Sequence, residues 1–226
     1  MRLYIDSADV KQIARLNEYF PIAGVTTNPS ILVKENRPYL EVLREIREII
    51  GEEKELFVQS IGDISEEIVE ESKFITSELP GKVIVKIPVT DEGLKAIKLL
   101  TLENIPTLAT TVYTAFQALM AAMAGANYVA PYVNRIDNLT GNGVNVVAEI
   151  AKLYAAYQLP TEIIAASFKN VQQVHDVCLA GAHTVTVGPD LIEKFIAFPA
   201  TPADVADFKS QWQKTYGSDK TSLVNS

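Results

Sequence analysis

Short apolar runs alternate with stretches of helical periodicity from one end of the chain to the other. The strand candidates are RLYID (2–6), AGVTTN (23–28), ELFVQS (55–60), KVIVKIPV (82–89), PTLATTV (106–112), YVAPYV (128–133), EIIAAS (162–167) and HTVTVG (183–188). Between them lie helical patterns such as SADVKQIARLNEYF, with Val10, Ile13, Ala14, Leu16 and Phe20 on one face, and TDEGLKAIKLL, opened by Thr90 with two carboxylates in its first turn. Strict alternation with short connections predicts parallel pairing. Eight such units in one domain predict an α/β fold, a (β/α)8 TIM barrel spanning 1–226. A doubly wound open sheet is the alternative, but no Gly-x-Gly-x-x-Gly follows the first strand, so a dinucleotide site has no support. The end of the chain adds a C-terminal helix over 201–216, with Thr201 as N-cap, Pro202 at the first helical position and a stripe of Val205, Phe208 and Trp212. The remaining 217–226 is too polar to hold itself in place and is expected to be a mobile tail.

Composition narrows the class. A length of 226 residues suits one large domain, and 48% hydrophobic residues suffice for a substantial core. The net charge of −8 without a basic stripe argues against a nucleic-acid partner. Cys178, the one cysteine, reads as a small core residue of a helix; with no intrachain disulfide possible and no apolar signal region near Met1, a cytoplasmic location is expected. No charged side chain falls between Glu103 and Arg135, which is long enough to raise a membrane question. Pro106, Gln117, Gly125 to Asn127 and Pro131 divide that stretch into strand, helix and strand, so a buried βαβ unit is expected and not a membrane span. Its helix, TAFQALMAAMAG, has no charged outer face, a pattern that predicts cover on both sides and hence a homo-oligomer.

Candidate chemistry lies at the strand ends. In KVIVKIPV, alternation puts Val83, Val85, Ile87 and Val89 on one face and Ile84, Lys86 and Pro88 on the other, so Lys86 interrupts a strand apolar on both faces. Two readings stand: a strand-end lysine that snorkels to water or pairs with a carboxylate, and a desolvated amine able to attack a carbonyl and form a Schiff base. Barrel active sites lie at the carboxyl ends of the strands, and there the chain offers Asp6, Thr26, Asn28, Gln59, Lys86, Thr110, Tyr132 and Ser167. Singly, each has a structural reading: a cap, a turn, an ordinary strand residue. Together, facing one lysine, they describe a shared pocket. The two histidines, His175 on a helix and His183 at the start of the last strand, do not converge, so no metal and no cofactor is expected. An amine, a carboxylate, a phenol and neutral hydrogen-bonding groups remain, a set that can manage a ketose bound as an iminium. Arg135 after the sixth strand, with Ser167 and Lys169 after the seventh, could bind phosphate; alternatively Arg135 pairs with Asp137.

GVTTNPS on the second strand, VKIPVTDEG around the lysine, YVAPYVNRID on the sixth and AASFKN on the seventh resemble, in this order, the transaldolase family and most closely its short members, the fructose-6-phosphate aldolases. The similarity runs from Leu3 to about Trp212. It implies a Schiff base at Lys86, contacts from Asp6 and Asn28 to the sugar hydroxyls and carbinolamine, and phosphate binding by Arg135, Ser167 and Lys169. Transaldolases usually carry glutamate and phenylalanine where this chain has Gln59 and Tyr132, so the pair implies the aldolase branch. In the implied mechanism Tyr132 moves the proton, with Gln59 and Thr110 holding a water. The resemblance also implies sugar-phosphate substrates and an assembly of two stacked rings of five, a decamer. The segment SIGDISEE after Gln59 and the tail YGSDKTSLVNS depart from the family pattern. A transaldolase moving the same three-carbon unit, and a non-catalytic phosphosugar-binding barrel with a structural Lys86 to Asp6 ion pair, are the competing readings.

Overall fold

The computed structural model of the chain describes residues 1–217 and 221. Eight parallel strands, β1 (Arg2–Asp6), β2 (Ile22–Thr26), β3 (Glu55–Gln59), β4 (Val83–Pro88), β5 (Thr107–Val112), β6 (Tyr128–Pro131), β7 (Glu162–Ala165) and β8 (Thr184–Val187), close into a barrel in sequence order. The expected (β/α)8 barrel is the observed one. Several strands stop short of the apolar runs that predicted them because the chain leaves the ladder to start a helix. Asn28 caps the helix Pro29–Leu32, and Tyr132 stands at the head of Val133–Asn138. Two compact units divide the chain, Met1–Pro189 with all eight strands and Asp190–Ser226.

Alternation sorts each barrel strand into a helix-facing and an interior row. The interior is filled by Tyr4, Phe57, Ile84, Leu108, Ala130, Ile164 and Ala166. Phe57 meets Tyr4 and Tyr128 edge to face, with centroids 5.3 and 5.4 Å apart. Below this layer a polar floor closes the amino-terminal end. Glu55 accepts hydrogen bonds from the hydroxyls of Tyr4 and of Tyr128 (2.7 Å), and Arg2 pairs with Glu162 while reaching Glu55 at 3.4 Å. Burial, then the bond to Glu55, pushes the Tyr128 phenol up to about 12 and moves Tyr4 the same way, so both remain proton donors.

Strand β2 carries a bulge. Leu3 pairs with Ile22 but Tyr4 with Gly24, leaving Ala23 as an extra residue. Only glycine fits at 24, since a Cβ there would lie 2.0 Å from the Glu55 carbonyl oxygen.

The helices follow the expected periodicity with local corrections. Asp9 caps Val10–Tyr19, and Ile13 and Leu16 are buried as predicted, whereas Ala14 is exposed, so the buried stripe is narrower than the apolar pattern. Thr90 caps Asp91–Leu102 as expected, accepting from the Gly93 amide. In Ala115–Met123 the inner residues Ala118 and Ala121 are fully buried while Phe116 and Met123 are exposed. Among the described residues no helix is long and apolar enough to cross a membrane. Cys178 is half-buried and not a core residue, because its helix, Val171–Leu179, turns Val174 and Val177 inward and leaves the sulfur at its edge, 3.0 Å from Met1 Sδ.

In the second unit the C-terminal helix runs Ala200–Tyr216. Thr201 is not its N-cap: the Thr201 amide already donates to the Phe198 carbonyl, so the first turn begins earlier and Pro199 holds the cap position. Apart from Gly217 and Thr221, the tail expected over 217–226 lies outside the described residues.

Gly93 packs the first turn of its helix onto the end of β4, and a Cβ there would lie 1.9 Å from the Pro88 carbonyl oxygen. Gly93→Ala is therefore expected to lower stability by about 1–3 kcal/mol despite the better helix propensity of alanine. Denaturant unfolding measures this, and an unchanged midpoint would contradict the close approach.

Candidate active site

Lys86 occupies the interior row of β4 above Ile84 and is only 6% exposed. Its ammonium donates to the backbone carbonyl of Thr27 at 2.6 Å. Burial lowers the Lys86 pKa and the nearby Asp6 charge partly opposes that shift. Among the described residues Lys86 and Asp6 form no ion pair, so the amine is desolvated and held by one neutral acceptor.

Around it the strand ends deliver the expected groups. Thr26 donates to Asp6 Oδ1 at 2.7 Å, and its oxygen lies 2.6 Å from the hydroxyl of Thr186. Because the one Thr26 proton is committed to the carboxylate, Thr186 must be the donor in the second bond. The chain Thr186 to Thr26 to Asp6 thus fixes the carboxylate orientation. Gln59 pairs in register with Lys86, which brings the two Cα atoms side by side. Thr110 and Tyr132 share a 2.7 Å hydrogen bond. Tyr113 packs edge-on against the Tyr132 ring at 5.9 Å, and the Arg135 guanidinium lies 4.6 Å from the centroid of that ring.

Backbone strain gathers at this rim. Thr111 has φ +58° beside the β5 to β6 irregularity, and Ser167 has φ +64° after β7. A β-branched residue in the left-handed region is disfavoured, and here it re-aims the chain directly after Thr110.

Asn28 uses its side-chain oxygen to cap Pro29–Leu32, accepting from the Ile31 amide at 3.1 Å, which fixes the side chain and leaves its amide hydrogens for a ligand. The alternative pairing of Arg135 with Asp137 does not form. Asp137 instead accepts from the Gly143 amide and from Gln173 Nε2, each at 2.7 Å. Gln173 also accepts from the Lys169 amide at 2.7 Å, and the Asn134 amide donates to the Ser167 carbonyl at 2.8 Å. These bonds tie the segment bearing Arg135 to the one bearing Ser167 and Lys169.

Three contributors were missed in the sequence. Thr186 was legible from the alternation of Thr184 and Thr186 on β8, the one strand that offered no polar end residue. The Thr27 carbonyl and Gln173 gave no signal, since a backbone acceptor and a helix glutamine are invisible to a search for reactive side chains.

Residues 3–225 match the model of the transaldolase/fructose-6-phosphate aldolase family. The chain belongs to this family. Among solved structures, a flavocytochrome b2 with sulfite bound is similar at 12% identity and TM-score 0.60, covering 83% of this chain and 56% of that one. A mutant flavocytochrome b2 with benzoylformate is similar at 12% identity and TM-score 0.59, covering 84% and 57%. This chain therefore spans just over half the length of those proteins, and at such identity the likeness concerns the fold alone.

At neutral pH the buried Lys86 ammonium costs stability, because its pKa is depressed on folding and the unfolded chain binds the proton more readily. The cost shrinks as pH rises through the lowered folded pKa and is gone above the ordinary value of about 10.4. Lys86→Met is expected to raise the thermal midpoint at pH 7, with a smaller gain at pH 10. A fall in the midpoint at pH 7 would indicate a structural ion pair. Thr186→Val should lower kcat/KM on the order of tenfold through loss of one buried hydrogen bond, with Thr186→Ser near wild type.

Proposed function

We propose that the chain is a class I, Schiff-base aldolase that reversibly cleaves fructose 6-phosphate to dihydroxyacetone and glyceraldehyde 3-phosphate. The observation that carries this reading is Lys86, a buried amine with a lowered pKa on the interior row of a barrel strand, beside Gln59 and with Asp6 close enough to act on its charge. The uncharged amine attacks the ketose carbonyl, and the carbinolamine loses water to give an iminium. Asp6 and the amide hydrogens of Asn28 contact the carbinolamine and the sugar hydroxyls. The iminium accepts the electron pair of the bond between the third and fourth sugar carbons as the C4 hydroxyl gives up its proton. Glyceraldehyde 3-phosphate leaves, and an enamine remains on Lys86. Protonation at carbon and addition of the water lost earlier release dihydroxyacetone, so the overall reaction needs no co-reactant.

Tyr132, bonded to Thr110, moves the proton through a water held with Gln59. A phenol in place of a phenylalanine and an amide in place of a carboxylate support aldol release over transfer. Arg135, Ser167 and Lys169 take the phosphate, the guanidinium already oriented by its stacking on Tyr132. The exposed apolar face of Phe116, Met120 and Met123 supports a homo-oligomer, for which the resemblance implies paired rings of five.

Incubation with fructose 6-phosphate, with and without erythrose 4-phosphate, tests the reading. Free dihydroxyacetone without acceptor, abolished in Lys86→Met, is the expected outcome. Sedoheptulose 7-phosphate formed only with acceptor would make the enzyme a transaldolase. Borohydride with dihydroxyacetone should add mass at Lys86, at a rate that rises with pH through a midpoint below the ordinary lysine value of about 10.4.

A further inference from the structure

The segment after β3, SIGDIS (60–65), makes hydrogen bonds that converge on carboxylates from two neighbouring helices. Glu71, on the helix Ser65–Glu78, accepts on a single oxygen, Oε2, from the Ser60 hydroxyl, from the Ile61 amide at 2.8 Å and from the Gly62 amide at 3.1 Å. Glu67 accepts from the Asp63 amide at 3.1 Å, and Glu92 of the helix after β4 accepts from the Ser65 amide at 2.8 Å. Apolar packing contributes little to this loop, although Ser60 and Ser65 at its two ends are buried. Ile61 is 72% exposed and Ile64 47%, and a cavity of about 280 Å³, lined by Val58, Gln59, Ile61, Glu71 and Phe74 among others, lies against it. With free volume on one side and no buried apolar side chain of its own, the loop is fixed mainly by its hydrogen bonds to these carboxylates.

The loop starts one residue after Gln59. The Ser60 amide donates to the Lys86 carbonyl at 3.0 Å, while the Ser60 side chain is bound to Glu71. Ser60 is therefore gripped on one side by the backbone of the lysine and on the other by the carboxylate. Any slip of the loop into the cavity is passed directly to Gln59.

Resting on the aldolase reading above, we infer that Glu71 is a positioning residue for Gln59: it anchors the β3 loop so that the Gln59 amide stays beside Lys86, where it holds the water for proton transfer. Arg135, Ser167 and Lys169 are borne by segments after β6 and β7, so loss of the anchor affects the proton-transfer end of the site and leaves phosphate recognition intact.

The test is a double-mutant cycle with Glu71→Ala and Gln59→Ala, following dihydroxyacetone release from fructose 6-phosphate and borohydride trapping at Lys86. Glu71→Ala is expected to lower kcat on the order of tenfold with KM within about twofold, and to leave trapping intact. In the Gln59→Ala background the same change should have no further effect on kcat, because a residue acting through Gln59 has nothing left to position. Glu71→Gln, which keeps one acceptor oxygen, should restore most of the rate. Equal losses of kcat with and without Gln59, or a kcat unchanged by Glu71→Ala, would overturn the inference. Should Glu71→Ala fail to fold, Ser60→Ala removes a single anchor bond and is read in the same cycle. Absence of trapping in the wild type would refute the Schiff-base reading instead, which separates the two failures.

Discussion

A closed parallel barrel leaves very little room for polar side chains. Its strands are covered by helices on one face and by each other's side chains on the other, so an ionisable group can sit inside only near the two ends. Lys86 is where this constraint is most severe. It shares its strand with Ile84, Val85 and Ile87, all buried, and its ammonium donates to the Thr27 carbonyl. Around that amine the charge of Asp6 opposes part of the effect of burial by favouring the ammonium, and the neighbouring Thr26 and Thr186, like Thr110 and Tyr132, are tied to each other by hydrogen bonds.

The two ends of the interior solve the same problem in opposite ways. At the floor, Arg2, Tyr4, Glu55, Tyr128 and Glu162 pair among themselves, so each carboxylate there has a cation or hydroxyl partner and the phenols are locked as donors. At the rim, among the described residues, the amine forms no ion pair with Asp6, and the phenol of Tyr132 shares a hydrogen bond with Thr110. A satisfied network stabilises a fold, whereas a partly satisfied one retains groups for a substrate.

Much of this was legible in the sequence because alternation and position on a strand determine what a side chain can face. The interior row of Ile84, Lys86 and Pro88 followed from counting by two, and the rim from asking which strands end in polar residues. The pattern was silent where backbone atoms or single local bonds decide the outcome. The cap at Thr201 failed because the helix began before the residue with the best capping chemistry. The burial of Cys178 was overstated because its neighbour Val177, and not the sulfur, takes the inward position. The loop after Gln59 looked like a mere departure from a family pattern, since three donors meeting on one oxygen of Glu71 leave no periodic trace.

The bulge in β2 has a consequence for how the site is addressed along the chain. Simple alternation from Ile22 would put Thr26 on the same outward face as Ile22, yet the extra residue at Ala23 shifts the phase and turns Thr26 inward to Asp6. The bulge therefore works as a one-step frame correction between two parts of a single strand: the lower part is set by packing against helices, and the upper part by the chemistry of the rim. Each part can obey its own parity rule, and one inserted residue is what keeps Thr26 in register with Asp6.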